Sequence, residues 1–228
     1  MHVLKYMKKT AGLFAVIPAR NEEDHLEDVI RETMRYVEKV IVVDDASRDR
    51  TGEIAEKAGA LVLRHIVNLG LGGSLKTGCD AASLLGAKAI VTLDGDGQHD
   101  PSEIPKLVKT MKKNNADAVF GERRFNKNMP LMKKVGNHFF HLYSKLFFGI
   151  KVKDTQTGFR LFTAEAYKKI RWTSRDYAVA SEMLINAENS GVKYVPQEVR
   201  TIYHDDYKGT TILDGLKIAN KMLRIKFR

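Results

Sequence analysis

A chain of 228 residues with 43% hydrophobic content can build a full core, as one large domain or two small ones. No apolar run reaches the roughly 18 residues of a membrane-spanning helix, and the charged stretch Met1–Thr10 lacks the apolar segment of a secretory signal. The single cysteine, Cys79, excludes an internal disulfide and fits a reducing compartment, while a net charge of +10 points to an anionic partner.

Nucleic acid is the least expected of the anionic partners, because no zinc-finger spacing and no RNA-binding aromatic signature occurs. In chain order, Leu13–Ile17 predicts a strand. Glu22–Val37 predicts a helix with Leu26, Val29, Ile30, Thr33 and Val37 on one face. Lys39–Val43 predicts a strand, Thr51–Ala58 a helix, Ala60–Arg64 a third strand, and Gly73–Leu85 a helix rich in small residues. Ala89–Leu93 is short, apolar and β-branched and ends in polar turn residues, as a buried strand does. Ser102–Lys113 predicts a helix with Ser102 and Glu103 suited to its N-terminus, and Asp117–Gly121 another strand.

This alternation implies an α/β fold with a mostly parallel sheet and helices on both faces. Ligands of such sheets bind beyond the carboxyl ends of the strands, where Asn21, Asp44, Asp45, Asp94 and Asp96 all fall. The second half is different. Pro130–Ile150 reads as a helix unusually rich in aromatic residues, followed by the turn Asp154–Arg160. Ala164–Ile170 and Ala178–Ser190 read as helices, Lys193–Tyr203 as extended chain, and Leu213–Phe227 as a basic amphipathic helix. With no repeat or linker, one domain spanning 1–228 is expected.

Asp94-Gly95-Asp96 carries the most chemistry. Two carboxylates one residue apart at a strand end can share one divalent cation, and Mg²⁺ or Mn²⁺ accepts a few carboxylates together with phosphate oxygens and water. Gly95 between them leaves room for a ligand to approach.

In order along the chain stand Val16-Ile17-Pro18-Ala19-Arg20-Asn21-Glu22-Glu23, Val42-Val43-Asp44-Asp45-Ala46-Ser47, Asn68-Leu69-Gly70-Leu71-Gly72-Gly73, and Asp94-Gly95-Asp96-Gly97-Gln98-His99. They are followed by Gly121-Glu122-Arg123 and Asp154-Thr155-Gln156-Thr157-Gly158-Phe159. Together they resemble the family 2 glycosyltransferases of the GT-A (Rossmann-like) fold, in the branch of dolichol-phosphate mannose synthases and polyprenyl-phosphate sugar transferases. The resemblance implies a donor half at about 12–125 and an acceptor half at about 126–228.

It also implies a nucleotide-sugar donor (GDP-mannose or a UDP-sugar), a Mg²⁺ or Mn²⁺ ion, and inverting transfer to a dolichyl or polyprenyl phosphate. Pro18, Asn21 and Glu22 match the first nucleotide-contacting segment. Asp45 matches the aspartate at the base, and Asp44 shapes the same turn. Asp94 and Asp96 match the metal and diphosphate motif, with Gly95 and Gln98 at the donor. Arg123 matches an arginine near the acceptor phosphate, and Lys133 and Asn137 stand where relatives carry an arginine and a serine. Asp205 and Asp206 occupy the region where relatives carry a further phosphate-binding arginine, a departure from the mannose synthases.

The family's acceptor sits in a bilayer. The expected location is therefore cytoplasmic, peripheral on the cytoplasmic face of the membrane, with Lys217, Lys221, Arg224, Lys226 and Arg228 each adding about 1 kcal/mol against anionic head groups. A homo-oligomer using the same apolar surfaces is the alternative. Two other functions compete: a hydroxyl acceptor with Glu182 as general base, and a peripheral membrane scaffold with a degenerate site.

Overall fold

The computed structural model describes residues 9–123, 146, 148–150 and 152–202. Most of the aromatic Pro130–Ile150 segment, with Lys133 and Asn137, and the whole basic C-terminal segment lie outside the described residues. Among the described residues no helix is long and apolar enough to cross a membrane.

The described elements are β1 (Thr10–Ala19), α1 (Leu26–Thr33), β2 (Val37–Asp44), α2 (Thr51–Lys57), β3 (Leu61–Arg64), α3 (Gly70–Leu84) and β4 (Ala89–Thr92). A 3₁₀ turn (Pro101–Glu103) leads into α4 (Ile104–Asn114). Then come β5 (Ala118–Arg123), β6 (Arg160–Thr163), α5 (Ala164–Ile170), α6 (Val179–Asn189) and β7 (Tyr194–Val199). The strands form one seven-stranded sheet in the order β3-β2-β1-β4-β6-β5-β7. All pairings are parallel except those of β6, which runs against both β4 and β5.

The side-chain period of two divides the core. Phe14 and Val16 of β1 point to one face, where α3, α5 and α6 cover them. Leu13, Ala15 and Ile17 point to the other, under α1, α2 and α4. Burial on both faces is the reason β1, β2 and β4 read as continuous apolar runs rather than alternating ones.

Two expectations change. The helix predicted from Glu22 begins at Leu26 and ends at Thr33. Before it, the backbone of Glu22 and Glu23 donates to Thr51 and Asp49 side chains across the turn, and Val37 instead opens β2 opposite Thr10. Strand β6 is not apparent in the sequence: four residues, beginning with an arginine, lie directly against a helix. Its pairing is well defined, from Ala89↔Thr163 to Thr92↔Arg160.

Phe162 of β6 is fully buried and stacks on Tyr167, with ring centroids 5.9 Å apart and planes 20° from parallel. Phe162→Ala is expected to lower the unfolding free energy by about 3–5 kcal/mol in urea titrations. Leu84→Ala, at a side chain that is 89% exposed, is expected to change it by less than about 0.5 kcal/mol.

Candidate active site

Three turns meet beyond the carboxyl ends of β1, β2 and β4. Asn21 and Ala46 both adopt left-handed backbone, with φ of 54° and 57°, a conformation costing an alanine about 1–2 kcal/mol. Cross-turn hydrogen bonds hold them there. Asn21 N donates to Ser47 Oγ (3.1 Å), and Arg48 N donates to Asn21 Oδ1 (2.9 Å). Asp44 accepts from Ser47 N (2.9 Å) and from Arg64 Nε (3.1 Å).

A cavity of about 510 Å³ opens at this edge of the sheet, and Pro18, Glu22, Asp45, Asp94, Gly95, Asp96, Gln98 and Arg123 all line it. Asn21 and Asp44 do not. Asn21 Oδ1 and the Asp44 carboxylate bond within the turns that shape its rim.

Asp45 is 4% exposed. Its Oδ1 accepts from Leu69 N (2.8 Å) and its Oδ2 from Gly70 N (2.8 Å), so the carboxylate sits at the N-terminus of α3, where backbone N–H groups lack helical partners. His65 Nδ1 approaches Asp45 Oδ1 at 2.8 Å, and its Nε2 meets Thr77 Oγ1 at 3.0 Å.

Asp94 and Asp96 follow β4. Asp96 Oδ1 accepts from Gln98 N (3.0 Å). The Asp94 carboxylate rests against Gly158, where an added Cβ would lie 2.6 Å from Asp94 Oδ1; only glycine lets that backbone pass so close. Burial raises the Asp94 carboxyl above its ordinary range, opposed by the Arg160 and Arg123 cations.

His99 supports this loop and does not face the cavity. Burial lowers its pKa to about 4, so the ring is neutral. Its Nδ1 then accepts from Asp94 N (3.3 Å) and its Nε2 can donate to Thr157 Oγ1 (3.3 Å).

The donor set suits Mg²⁺ or Mn²⁺. Among the described residues no group of three or more His, Cys, Asp or Glu side chains forms a closed cage. Two hard carboxylates on a cavity wall match a cation that completes its shell with phosphate and water. When bound, such an ion supplies Lewis-acid charge.

Arg123 lines the cavity with its guanidinium on Asp154: Nε to Oδ2 is 2.6 Å and Nη2 to Oδ1 is 3.1 Å. This fork lowers the Asp154 carboxyl below its ordinary range against the effect of burial. Arg160, at the start of β6, also lines the cavity and is 2% exposed. It donates to the carbonyls of Thr157 (2.8 Å) and Thr155 (3.3 Å), and burial lowers its pKa to about 10.

Arg160, Gln156, Asp176 and Tyr177, to which the sequence assigned no role, also line the cavity. Arg160 carried one usable signal, a lone charge ahead of buried Leu161 and Phe162. Glu182, the expected base of the hydroxyl-acceptor alternative, does not line the cavity.

Residues 14–171 match glycosyl transferase family 2, and the chain belongs to that family. It is 40% identical over 227 residues to an uncharacterised protein of Methanocaldococcus jannaschii, covering 94% of this chain and 92% of that one. It is 32% identical over 240 residues to the UDP-N-acetylglucosamine–dolichyl-phosphate N-acetylglucosaminyltransferase of Methanococcus voltae, covering 94% and 96%. Among solved structures it resembles glucosyl-3-phosphoglycerate synthase from Mycobacterium tuberculosis in complex with Mn²⁺, uridine diphosphate and glucosyl-3-phosphoglycerate. The TM-score is 0.70 at 18% identity, with 94% of this chain and 78% of that one covered, a likeness that shows the GT-A fold.

Glu22 gives the cavity a measurable pH signature. Burial, and after it the Asp96, Asp94, Asp49 and Asp24 carboxylates, push its pKa from 4.5 up to about 7. A carboxyl raised in the folded state stabilises the fold fully below the unfolded value, and that contribution is lost as pH rises through the folded one. The melting temperature of Glu22→Gln is therefore expected to gain on wild type between about pH 5 and about pH 8. Excess Mn²⁺ is expected to shrink that gain, because cationic charge at Asp94 and Asp96 offsets the repulsion on Glu22.

Proposed function

We propose that this protein is an inverting, metal-dependent glycosyltransferase that moves a sugar from a nucleotide-sugar donor, GDP-mannose or a UDP-sugar, to a dolichyl or polyprenyl phosphate. The observation that carries the reading is the meeting of Asp45, Asp94, Asp96 and Arg123 in one cavity at the carboxyl edge of the sheet. The Methanococcus voltae relative, whose name gives both a UDP-sugar and a dolichyl phosphate, supports the same pairing of substrates.

In this reading Pro18 and Asp45 take the nucleotide base, with Asn21 and Asp44 setting the turns behind them. Glu22, Gly95 and Gln98 line the donor, and Asp94 and Asp96 hold the cation against its diphosphate. Charge gathers on that diphosphate as the glycosidic bond breaks, so cationic charge fixed there lowers the barrier. A lipid phosphate is already an anion and needs no base to remove a proton. It needs cations that hold it in line with the anomeric carbon. Arg123 is one, fixed by Asp154 in a two-pronged geometry; Lys133 and Asn137 are assigned to the same phosphate. The chain acts as one domain, as a peripheral protein on the cytoplasmic face of a membrane, where the net charge of +10 favours anionic head groups.

Thermal unfolding with UDP or GDP, each with and without Mn²⁺, tests the donor site. At a hundredfold excess over Kd, the binding nucleotide is expected to stabilise the fold by about 2.7 kcal/mol, or ~5–10 °C in Tm. The shift is expected to require the metal and to vanish in Asp94→Ala and Asp96→Ala. No shift with either nucleotide would overturn the donor assignment. Transfer to a sugar hydroxyl in place of polyprenyl phosphate would overturn the acceptor assignment.

A further inference from the structure

Glu182 is a buried acid that none of the steps above uses. It stands in the first turn of α6, 4% exposed, and both its oxygens face one short stretch of chain. Oε1 accepts from Thr173 N (2.9 Å) and Thr173 Oγ1 (3.0 Å), and Oε2 accepts from Ser174 N (2.8 Å). Only a carboxylate accepts on both sides. A glutamine in its place would either turn its NH₂ toward the Ser174 N–H or give up the bonds to Thr173.

The stretch held in this way lies on the start of α3. Gly72 N donates to Arg175 O (2.8 Å), and Trp172 Nε1 donates to Gly72 O (2.8 Å). A Cβ on Gly72 would fall 2.0 Å from Ser174 O, so the two backbones touch with no side chain between them. At the same helix start, Leu69 N and Gly70 N donate to Asp45. A run of short contacts thus joins Glu182 to Asp45 through residues 172–175 and 69–72.

We infer that Glu182 is a positioning residue for the nucleotide end of the cavity: it clamps residues 173–174 so that the chain there fixes the first turn of α3, whose N–H groups orient Asp45. The effect on nucleotide binding rests on the function proposed above; the mechanical link does not. The same clamp sets the chain leading to Asp176 and Tyr177 on the cavity wall.

Glu182→Gln tests the link by calorimetric titration of UDP and GDP with Mn²⁺ and by amide hydrogen exchange. Losing one buried hydrogen bond is expected to weaken the nucleotide that binds wild type about tenfold. Transfer at saturating donor is expected to stay within about twofold, with the pH–rate profile keeping its wild-type shape, which a lost general base would not allow. Trp172→Phe is expected to weaken binding in the same direction, and the double variant to fall short of the sum, because both act on one clasp.

Leu107→Ala, a core truncation on the other face of the sheet, separates positioning from general instability. It is expected to lower stability and leave affinity unchanged. Exchange at the Leu69 and Gly70 amides is expected to speed up in Glu182→Gln relative to the β1 amides. Unchanged affinity and exchange in Glu182→Gln, an equal affinity loss in Leu107→Ala, or a pH–rate profile of changed shape in Glu182→Gln would overturn the proposal. If wild type binds neither nucleotide, the donor assignment falls, and exchange at Leu69 and Gly70 alone decides the mechanical link.

Discussion

The antiparallel strand β6, wedged between β4 and β5, is the constraint on which the site depends. β4 delivers Asp94 and Asp96 at its carboxyl end. A parallel neighbour would send its own carboxyl end, and nothing that precedes it, to that edge. Because β6 runs the other way, it enters the sheet there, and the chain before it must lie against Asp94. That placement puts Gly158 under the Asp94 carboxylate, Thr157 on His99, and Asp154 on Arg123. Thr92 Oγ1 pins the crossing by donating to Gly158 O (2.7 Å). Ladder hydrogen bonds thus join β4, with the acid pair just beyond it, through β6 to β5, which ends at Arg123.

Charge is distributed unevenly in this cavity. Glu22, Asp94 and Asp96 line the same cavity; burial raises both Glu22 and Asp94 above their ordinary carboxyl range, and for Glu22 the neighbouring carboxylates add to the rise. Asp45 accepts two backbone N–H bonds, and Asp154 is held by its fork with Arg123. The two kinds of carboxylate differ in what satisfies them. Asp45 and Asp154 have their partners built into the fold. Among the described residues Glu22 has no fixed cation against it, and Asp94 is offset by Arg160 and Arg123 only in part. In the proposed function, a divalent ion at Asp94 and Asp96 would offset that cost of ionisation.

What the sequence made legible follows from this physics. β1, β2 and β4 are buried on both faces, so they appear as unbroken apolar runs, and their carboxyl ends announce themselves in Asp44-Asp45 and Asp94-Gly95-Asp96. The covered face of α1 was readable at Leu26, Val29, Ile30 and Thr33, but its start was not. Residues 21–25 look like a helix opening and are held by Ser47, Thr51 and Asp49, far away in sequence. Strand β6 was hidden by its four-residue length and its leading arginine. Glu182 entered only as the base of the competing hydroxyl-acceptor reading, because an acid at a helix start carries no sign in the sequence of what it bonds. In the folded chain both of its oxygens turn toward Thr173 and Ser174.

The direction of β6 also bears on how the chain reaches this state. During synthesis, β1, β2, β3 and β4 emerge first and can pair as a parallel four-stranded sheet. The outer edge of β4 then has no neighbour until residues 160–163 leave the ribosome, about 70 residues later at roughly 5–20 residues per second. For those several seconds the nascent protein carries an apolar, unpaired edge of the kind that invites pairing with other chains. The strand that completes the acid pair's surroundings is therefore also the one that closes the most exposed stage of folding.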